Sequence, residues 1–399
     1  MRQWPYKAIG EVCDVNPKQN GAERLAPNTT VSFVPMSAVD ETFGEIIGTE
    51  TRRLEDIGSG YTPFCENDVL FAKITPCMEN GKTAIARHLE NGVGYGSTEF
   101  HVLRSKKYVM PEWVFAFVRQ PAFREQAKAS FTGTAGQQRV PADFFKQTLL
   151  PVPPMQEQER IVRILDEADQ LRRLRAETDR RTAELIPALF HEMFGDASTN
   201  PRNFRWFKIG DLTELVTSGL TPLGGAENYT TDGPYFFRSQ NVQMNRIDFE
   251  DIACLPLNIH ESMSRTKVRE GDVLLNITGA SIGRVAWVEK LEREANVNQH
   301  VCIIRPKQDV VLPPYLSVFL STPYGQEVIN QTQAGASRQG LNHEQVRSIT
   351  VMVPPVSEQH VFAARIAEIR TMEDEQASSR QHLNDLFQSL LHRAFQGEL

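Results

Sequence analysis

The sequence is poor in four things, and each shortage narrows what the chain can be. It has only five cysteines in 399 residues. An odd number, at Cys13, Cys65, Cys77, Cys254 and Cys302 without paired or metal-ligand spacing, reads as reduced thiols rather than a disulfide framework or a zinc site. No apolar run approaches the roughly 20 residues a bilayer span needs. The opening MRQWPYKAIG lacks a basic-then-apolar leader pattern, so a cytoplasmic chain without a membrane partner is expected. Basic charge is not in surplus either. Against 43 Lys+Arg stand 50 Asp+Glu, a net charge of -7, which argues against indiscriminate gripping of phosphate backbones by this chain alone.

Catalytic spacing is the fourth absence. There is no Walker loop, HExxH, GxSxG or dinucleotide fingerprint. The Gly-rich stretches NGVGYGS (91–97) and TSGLTPLGG (217–225) are not followed by a suitably patterned helix and read as loops. The nine histidines are scattered singly. Pro313-Pro314-Tyr315 approaches an amino-methyltransferase motif, but Leu312 stands where Asn or Asp is needed. No chemistry is expected of this chain.

What is present is the composition of a folded protein: 40% hydrophobic and 23% charged, with a mean hydropathy of -0.37. At roughly 100 to 200 residues per domain, the length suits two to four units. An internal repeat sharpens this. FCENDVL (64–70) corresponds to VREGDVL (268–274), Ile74-Thr75 to Ile277-Thr278, and Gly81–Ala84 to Gly283–Ala286. PVPPMQEQERIV (151–162) corresponds to MVPPVSEQHVFA (352–363), LFHEMF (189–194) to LLHRAF (390–395), and Ile9–Glu11 to Ile209–Asp211. The matches run in order at a nearly constant offset, so the chain is two copies of one unit of about 200 residues.

Each copy is a head and a rod. The head is rich in Gly, Pro and β-branched residues and carries short strand-like runs: VSFVPM, DVLFAKI, FHVLR, YFFRSQNV, DVLLNIT, GRVAWVE and HVCIIRP. Short helices beginning at Pro are expected in 111–127 and 314–331. The rods follow Pro153-Pro154 and Pro354-Pro355. There the apolar residues recur at spacings of three and four on one helical stripe. At 1.5 Å per residue each rod would measure about 57 Å, the first kinked at Pro187. The expected packing residues are Ile161, Leu165, Ala168, Leu185 and Leu189 against Phe362, Ile366, Ile369, Leu383, Leu386 and Leu390. An antiparallel coiled-coil-like pairing of the rods gives a pseudo-twofold particle, mimicking the dimers that read two half-sites on DNA. Heads some 50 to 60 Å apart would span roughly one and a half turns of B-DNA.

With GDVLLNITGASIGRVAWV (271–288), ASRQGLNHEQVRSITVMVPPVSEQ (336–359), and SGLTP (218–222) followed by PYFFRSQNV (234–242), the chain resembles the specificity (S) subunits of type I restriction-modification enzymes, the HsdS family. The likeness covers essentially all of it. The first copy is looser: DVNPKQN (14–20) stands where the second has TSGLTP. The resemblance implies a mixed α/β (α+β) fold with two DNA target recognition domains, 1–150 and 196–356. Each would read one half of a split double-stranded DNA sequence. It implies that 151–195 and 357–399 are conserved helical regions, spacers that dock two modification (M) subunits. Restriction (R) subunits would join through that core of two M subunits and one S subunit. S-adenosylmethionine, ATP and magnesium would serve the partner subunits, leaving no cofactor and no metal for this chain.

Base edges are read by Arg, Lys, Asn, Gln, Ser and Thr. On that chemistry the second head offers Arg238, Ser239, Gln240 and Asn241, then Asn276, Thr278 and Arg284, then Asn298, Gln299 and His300, and finally Ser337, Arg338 and Gln339. The first head offers Lys73, Thr75 and Lys82, Gln137, Gln138 and Arg139, and the loop Lys18, Gln19 and Asn20. For each of these residues the competing reading is a solvated or turn-capping side chain. Glu157-Gln158 and Glu358-Gln359 open the two rods and are expected to serve the exposed N–H groups of the first turn. A standalone two-headed DNA-binding regulator is the alternative function, and a structural scaffold a further one. Charge is unevenly spread: 1–150 holds 17 basic and 17 acidic residues, whereas 357–399 holds 4 and 7. The heads are near neutral, which suits DNA binding that leans on partners for phosphate neutralisation.

Overall fold

The computed structural model describes residues 4–134, 136–222, 224–334 and 340–399. Two compact units form, one from Met1–Glu177 with Ala377–Leu399 and one from Thr178–Gln376.

Unit 1 holds two four-stranded sheets. The antiparallel one runs Cys13–Val15, Phe100–Ser105, Val69–Ala72, Thr83–Ile85. The mixed one runs Glu50–Arg53, Thr30–Val34, Val93–Gly96, Thr62–Cys65, its central pair parallel. Unit 2 repeats both orders. Its antiparallel sheet is Thr213–Ser218, Val301–Pro306, Val273–Asn276, Val285–Trp287, and its mixed sheet is Ala253–Cys254, Thr230–Phe237, Ala295–Val297, Lys267–Val268. The central strands Val69–Ala72 and Val273–Asn276 are buried at every position, because both faces of their sheets are covered. In unit 1, Leu70 and Val102 face Val34 and Phe64 of the other sheet, while Val69, Phe71 and Leu103 face helices.

One expected loop is a strand. Val93–Gly96, inside NGVGYGS, lies at the centre of the mixed sheet. Its glycines answer to packing: a Cβ on Gly94 would meet the Phe64 ring at 2.0 Å, and one on Gly96 would meet Val34 O at 2.6 Å. The expected short helices are each two. Pro111–Val118 is followed by Pro121–Ala129, and Pro313–Ser321 by Pro323–Ala334. Gln120 and Thr322, extended at ψ 136° and 156°, stand before a proline, which clashes with a helical predecessor.

Side chains fasten the heads identically in both units. Asp68, 1% exposed, accepts from Arg104 at 2.8 and 2.7 Å. Its repeat mate Asp272, 0% exposed, accepts from Arg305 at 2.7 and 2.8 Å. Trp113 Nε1 donates to Pro151 O at 2.9 Å, and Tyr315 Oη to Met352 O at 2.7 Å. Tyr315 is thus a core residue whose hydroxyl is pushed well above its ordinary pKa by burial, with no part in methyl transfer.

Glu157 and Glu358 lie in the first turns of their helices as expected, but the glutamines beside them correct the sequence reading. Gln158 and Gln359 are both fully buried. Gln158 Oε1 accepts from Met110 N at 2.9 Å, and its Nε2 donates to Tyr108 O and Pro153 O at 3.0 and 2.8 Å. Gln359 does the same with Leu312 N at 2.8 Å, Val310 O at 3.1 Å and Pro354 O at 2.9 Å. Each amide therefore clamps the start of a head helix (Pro111–Val118 or Pro313–Ser321) to the start of its own rod. The adjacent carboxylates form ion pairs, Glu157 with Arg160 and Glu358 with Arg202.

The first rod is Met155–Ala183, broken at Glu184, then Leu185–Phe194. The break falls beside Pro187, whose ring blocks the helical bond to residue 183. The second rod is one helix, Val356–Gln396, about 62 Å long for its rise. In unit 1, Ile161, Leu165 and Ala168 share a core with Phe387, Leu391, Ala394 and Phe395, and Leu390 packs at its margin. In unit 2, Leu189 shares a core with Phe362, Ile366 and Ile369, to which Ile186, Phe190 and Phe194 also belong. Contacts at Thr182–Gln376 and Phe194–Phe362 run in opposite senses along the two helices of this unit. Leu383 is half-buried. Leu185 and Leu386, expected in the packing, are instead 41% and 48% exposed. Their neighbours Ile186 and Phe387 take the buried positions, because one face of the helix meets the core and the next residue points about 100° away. No helix of the described residues is long and apolar enough to cross a membrane.

Candidate nucleic-acid interface

In unit 2 three loops converge at the ends of the central strands. A concavity of about 400 Å³ is lined by Ser239, Gln240, Thr278, Gly279, Ala280, Ser281, Arg284 and His300. Five of these are residues that the sequence singles out, drawn from three separate segments. Buried asparagines hold these segments in place. Asn276, fully buried, donates to Ser239 O at 2.8 Å, pinning the turn after Thr230–Phe237 to the strand Val273–Asn276. Asn241, 1% exposed, accepts from Arg238 N and donates to Asp248 O, both at 3.1 Å. Asn298 accepts from His300 N at 3.0 Å. These three are scaffold, not readers. Arg238 is likewise engaged: it donates to Asp251 O at 2.5 Å and lies over the Tyr229 ring.

What remains exposed is a smaller set: Gln240, Arg284 and Gln299, the last with its Nε2 3.4 Å from His300 Nε2. Arg284 has no ion-pair or side-chain hydrogen-bond partner among the described residues. The Thr278 hydroxyl and His300 Nδ1 are hydrogen-bonded to each other, leaving the pair at the concavity edge. Gly279, at φ +78° with nothing within 4 Å of a Cβ, turns the backbone there. Ser337, Arg338 and Gln339 lie outside the described residues. His343, unflagged by the sequence, meets Ser218 Oγ at 3.0 Å, and burial holds its imidazole below the ordinary pKa.

The corresponding end of unit 1 is built differently. A concavity of about 510 Å³ has Lys18, Lys73, Asn16 and Ser59 at its polar edge and Tyr61, Tyr95 and Phe100 among its lining. The Lys18 and Lys73 ammonium groups have no hydrogen-bond or ion-pair partner among the described residues. Asn20 is buried, donating to Gly94 O at 3.1 Å. Lys82 donates to Val39 O at 2.6 Å and pairs with Glu41 at 3.1 Å. Thr75 donates its hydroxyl to Glu79. Arg139 holds Glu99 through two bonds of 2.8 Å, which keep that carboxyl below its usual pKa. Gln19 and Gln137 are exposed and Gln138 half-buried. Of the nine first-head candidates, Asn20, Thr75, Lys82 and Arg139 are committed within the fold. Tyr61 and Tyr95 escape the sequence reading, which takes only polar side chains as base readers and places Tyr95 in a Gly-rich loop.

The two interfaces share a frame and differ in chemistry. Unit 1 presents lysines beside aromatic rings, and unit 2 presents amides, a hydroxyl–imidazole pair and one guanidinium. Such side chains suit phosphate and base-edge contact.

Comparison with known proteins agrees with this geometry. Residues 1–183 and 201–375 match the model of the Type I restriction modification DNA specificity domain. The chain is similar to the Type I restriction enzyme EcoAI specificity subunit of Escherichia coli, 31% identical over 218 residues, covering 52% of this chain and 36% of that one. The EcoEI specificity subunit of Escherichia coli is 36% identical over 160 residues, covering 40% and 26%. The chain thus spans about a third or less of the length of these two relatives. The EcoKI specificity subunit of Escherichia coli strain K12 is 25% identical over 321 residues, covering 75% and 68%. Among solved structures, a chain from work on complex assembly and conformational transition of the type I R-M system superposes with a TM-score of 0.60 at 23% identity, covering 99% and 98%. The Type-I restriction-modification system S subunit from M. genitalium does so at 0.57 and 13%, covering 98% and 96%. At these identities the likeness is one of fold.

Proposed function

Because the chain belongs to the type I restriction-modification DNA specificity family, we propose that it is the DNA sequence-specificity subunit of a type I restriction-modification complex. One observation carries this reading: two heads with the same strand order end in concavities of unlike chemistry, as two different half-sites require. In this proposal 1–150 and 196–356 are the target recognition domains, and 151–195 with 357–399 are spacer and M-subunit dock. The rods pair antiparallel across the chain, giving it a pseudo-twofold axis that matches a split DNA target. The side chains of Gln240, Arg284, Gln299, Lys18 and Lys73 contact DNA, while the buried asparagines hold the loops. The chain is non-catalytic and cytoplasmic. Two M subunits bind it to form a core that R subunits join, and S-adenosylmethionine, ATP and magnesium serve those partners.

The test is to co-express the chain with the modification and restriction genes beside its own and sequence the methylated DNA. Methylation at one bipartite motif is expected. Exchanging residues 196–356 for another recognition domain should change one half of that motif. No stable partner together with unchanged methylation sinks the proposal, and operator-like binding by the chain alone would favour a standalone regulator.

A further inference from the structure

We propose that unit 2 carries a divalent-cation site, formed by His260, Glu261 and Glu294, that takes a borderline transition ion of the zinc class. His260 and Glu261 lie on the short helix Leu257–Ser262, and Glu294 immediately precedes the strand Ala295–Val297. One ring nitrogen and one carboxylate oxygen from each glutamate lie within 4.8 Å of one another. His260 Nε2 is 3.0 Å from Glu294 Oε2 and 3.9 Å from Glu261 Oε1. Ligands about 2.1 Å from a tetrahedral ion stand about 3.4 Å apart, so modest side-chain rotations close the set around a cation.

The state of the imidazole is an independent observation. His260 is 0% exposed, and neither ring nitrogen has a hydrogen-bond partner. The contact with Glu294 has the distance of an ion pair without the alignment of a hydrogen bond. Burial makes an unpartnered polar group costly, and a metal bond satisfies Nε2. The carboxylates are 58% and 62% exposed, which gives an ion its way in.

Lys267 already holds a positive charge there, its Nζ 2.9 Å from Glu261 Oε1 and 3.8 Å from Glu294 Oε1. The pair of carboxylates is thus arranged around a cation, and an entering ion displaces the ammonium toward solvent. One nitrogen and two oxygens suit Zn²⁺, Co²⁺ or Ni²⁺ better than calcium or magnesium, which favour oxygen alone. Bound there, the ion ties the helix to the start of an inner strand of the mixed sheet. It touches none of the residues proposed to meet DNA, so this inference stands or falls apart from the DNA reading.

The experiment titrates the chelator-stripped full chain with Co²⁺ and follows ligand-field absorption, with Zn²⁺ competition by calorimetry. Wild type is expected to take up one Co²⁺ that Zn²⁺ displaces. Glu261→Gln combined with Glu294→Gln, both exposed positions and safe for folding, should weaken uptake by more than roughly tenfold. Lys267→Met should tighten it by roughly twofold to fivefold, the worth of an exposed ion pair. Equal uptake by wild type and the double glutamine variant overturns the proposal. So does the absence of uptake by both wild type and Lys267→Met.

Discussion

Replacing Gln359 separates two physical accounts of the same residue. If the Glu-Gln element served the dipole of the first helical turn, Gln359→Glu would be neutral or mildly stabilising, by about 0.3–1 kcal/mol. The structure gives the opposite sign. The amide nitrogen donates to Val310 O and Pro354 O while the amide oxygen accepts from Leu312 N, all from a fully buried side chain. Glutamate keeps the acceptor but faces two carbonyl oxygens with no donor, from a fully buried side chain. Methionine keeps the volume and strands all three groups. At about 1–3 kcal/mol per buried group left unpaired, and with Val310 O able to find water, either change should cost about 3 kcal/mol. For a unit near 200 residues that is about 6–12 °C in Tm. Gln158→Glu and Gln158→Met should repeat the result in unit 1, where the same three bonds exist. Urea unfolding followed by tryptophan fluorescence and circular dichroism reads both. Gln359→Glu at wild-type stability or above would refute the clamp.

Three further outcomes rest on side chains already placed. Asp272→Ala should cost about 3–5 kcal/mol, because it leaves the Arg305 guanidinium largely buried without its counter-charge; urea midpoints check it, and a paired Asp272→Leu/Arg305→Met variant should recover most of the loss. His101 donates from Nε2 to Val140 O at 2.8 Å and meets Asn16 through Nδ1, and burial holds its pKa below the ordinary 6.5. The unfolded chain therefore takes up the proton first. Stability is full above about pH 6.5 and falls as pH drops toward the folded pKa. His101→Gln should flatten that slope, and parallel wild-type and variant slopes between about pH 7.5 and 5.5 would contradict it. Arg284→Ala should change unfolding by less than about 0.5 kcal/mol. In the complex with M subunits it should weaken binding to the cognate site by about 1–3 kcal/mol, measured by fluorescence anisotropy at fixed salt; unchanged affinity removes Arg284 from the interface.

Self-comparison and local periodicity were enough to establish the duplication, the mixed α/β heads, the helical rods and the absence of catalytic spacing. Such properties need no knowledge of any long-range partner. Even Asp68 and Asp272 are legible as a repeated acid before a buried strand, although their arginines, 36 and 33 residues on, are not. Which polar residues are free was settled by packing. Asn241, Asn276 and Asn298 look no different in sequence from Gln240, Arg284 and Gln299, yet the first three are sealed into the loops by hydrogen bonds and the others face solvent. Turn residues spend their hydrogen bonds on whichever backbone groups the fold brings near, and for Asn276 that group lies 37 residues away. The same limit placed the helix stripe one residue off at Leu386. Phe387 beside it is equally apolar, and only the packed core selects between neighbours about 100° apart on the helix.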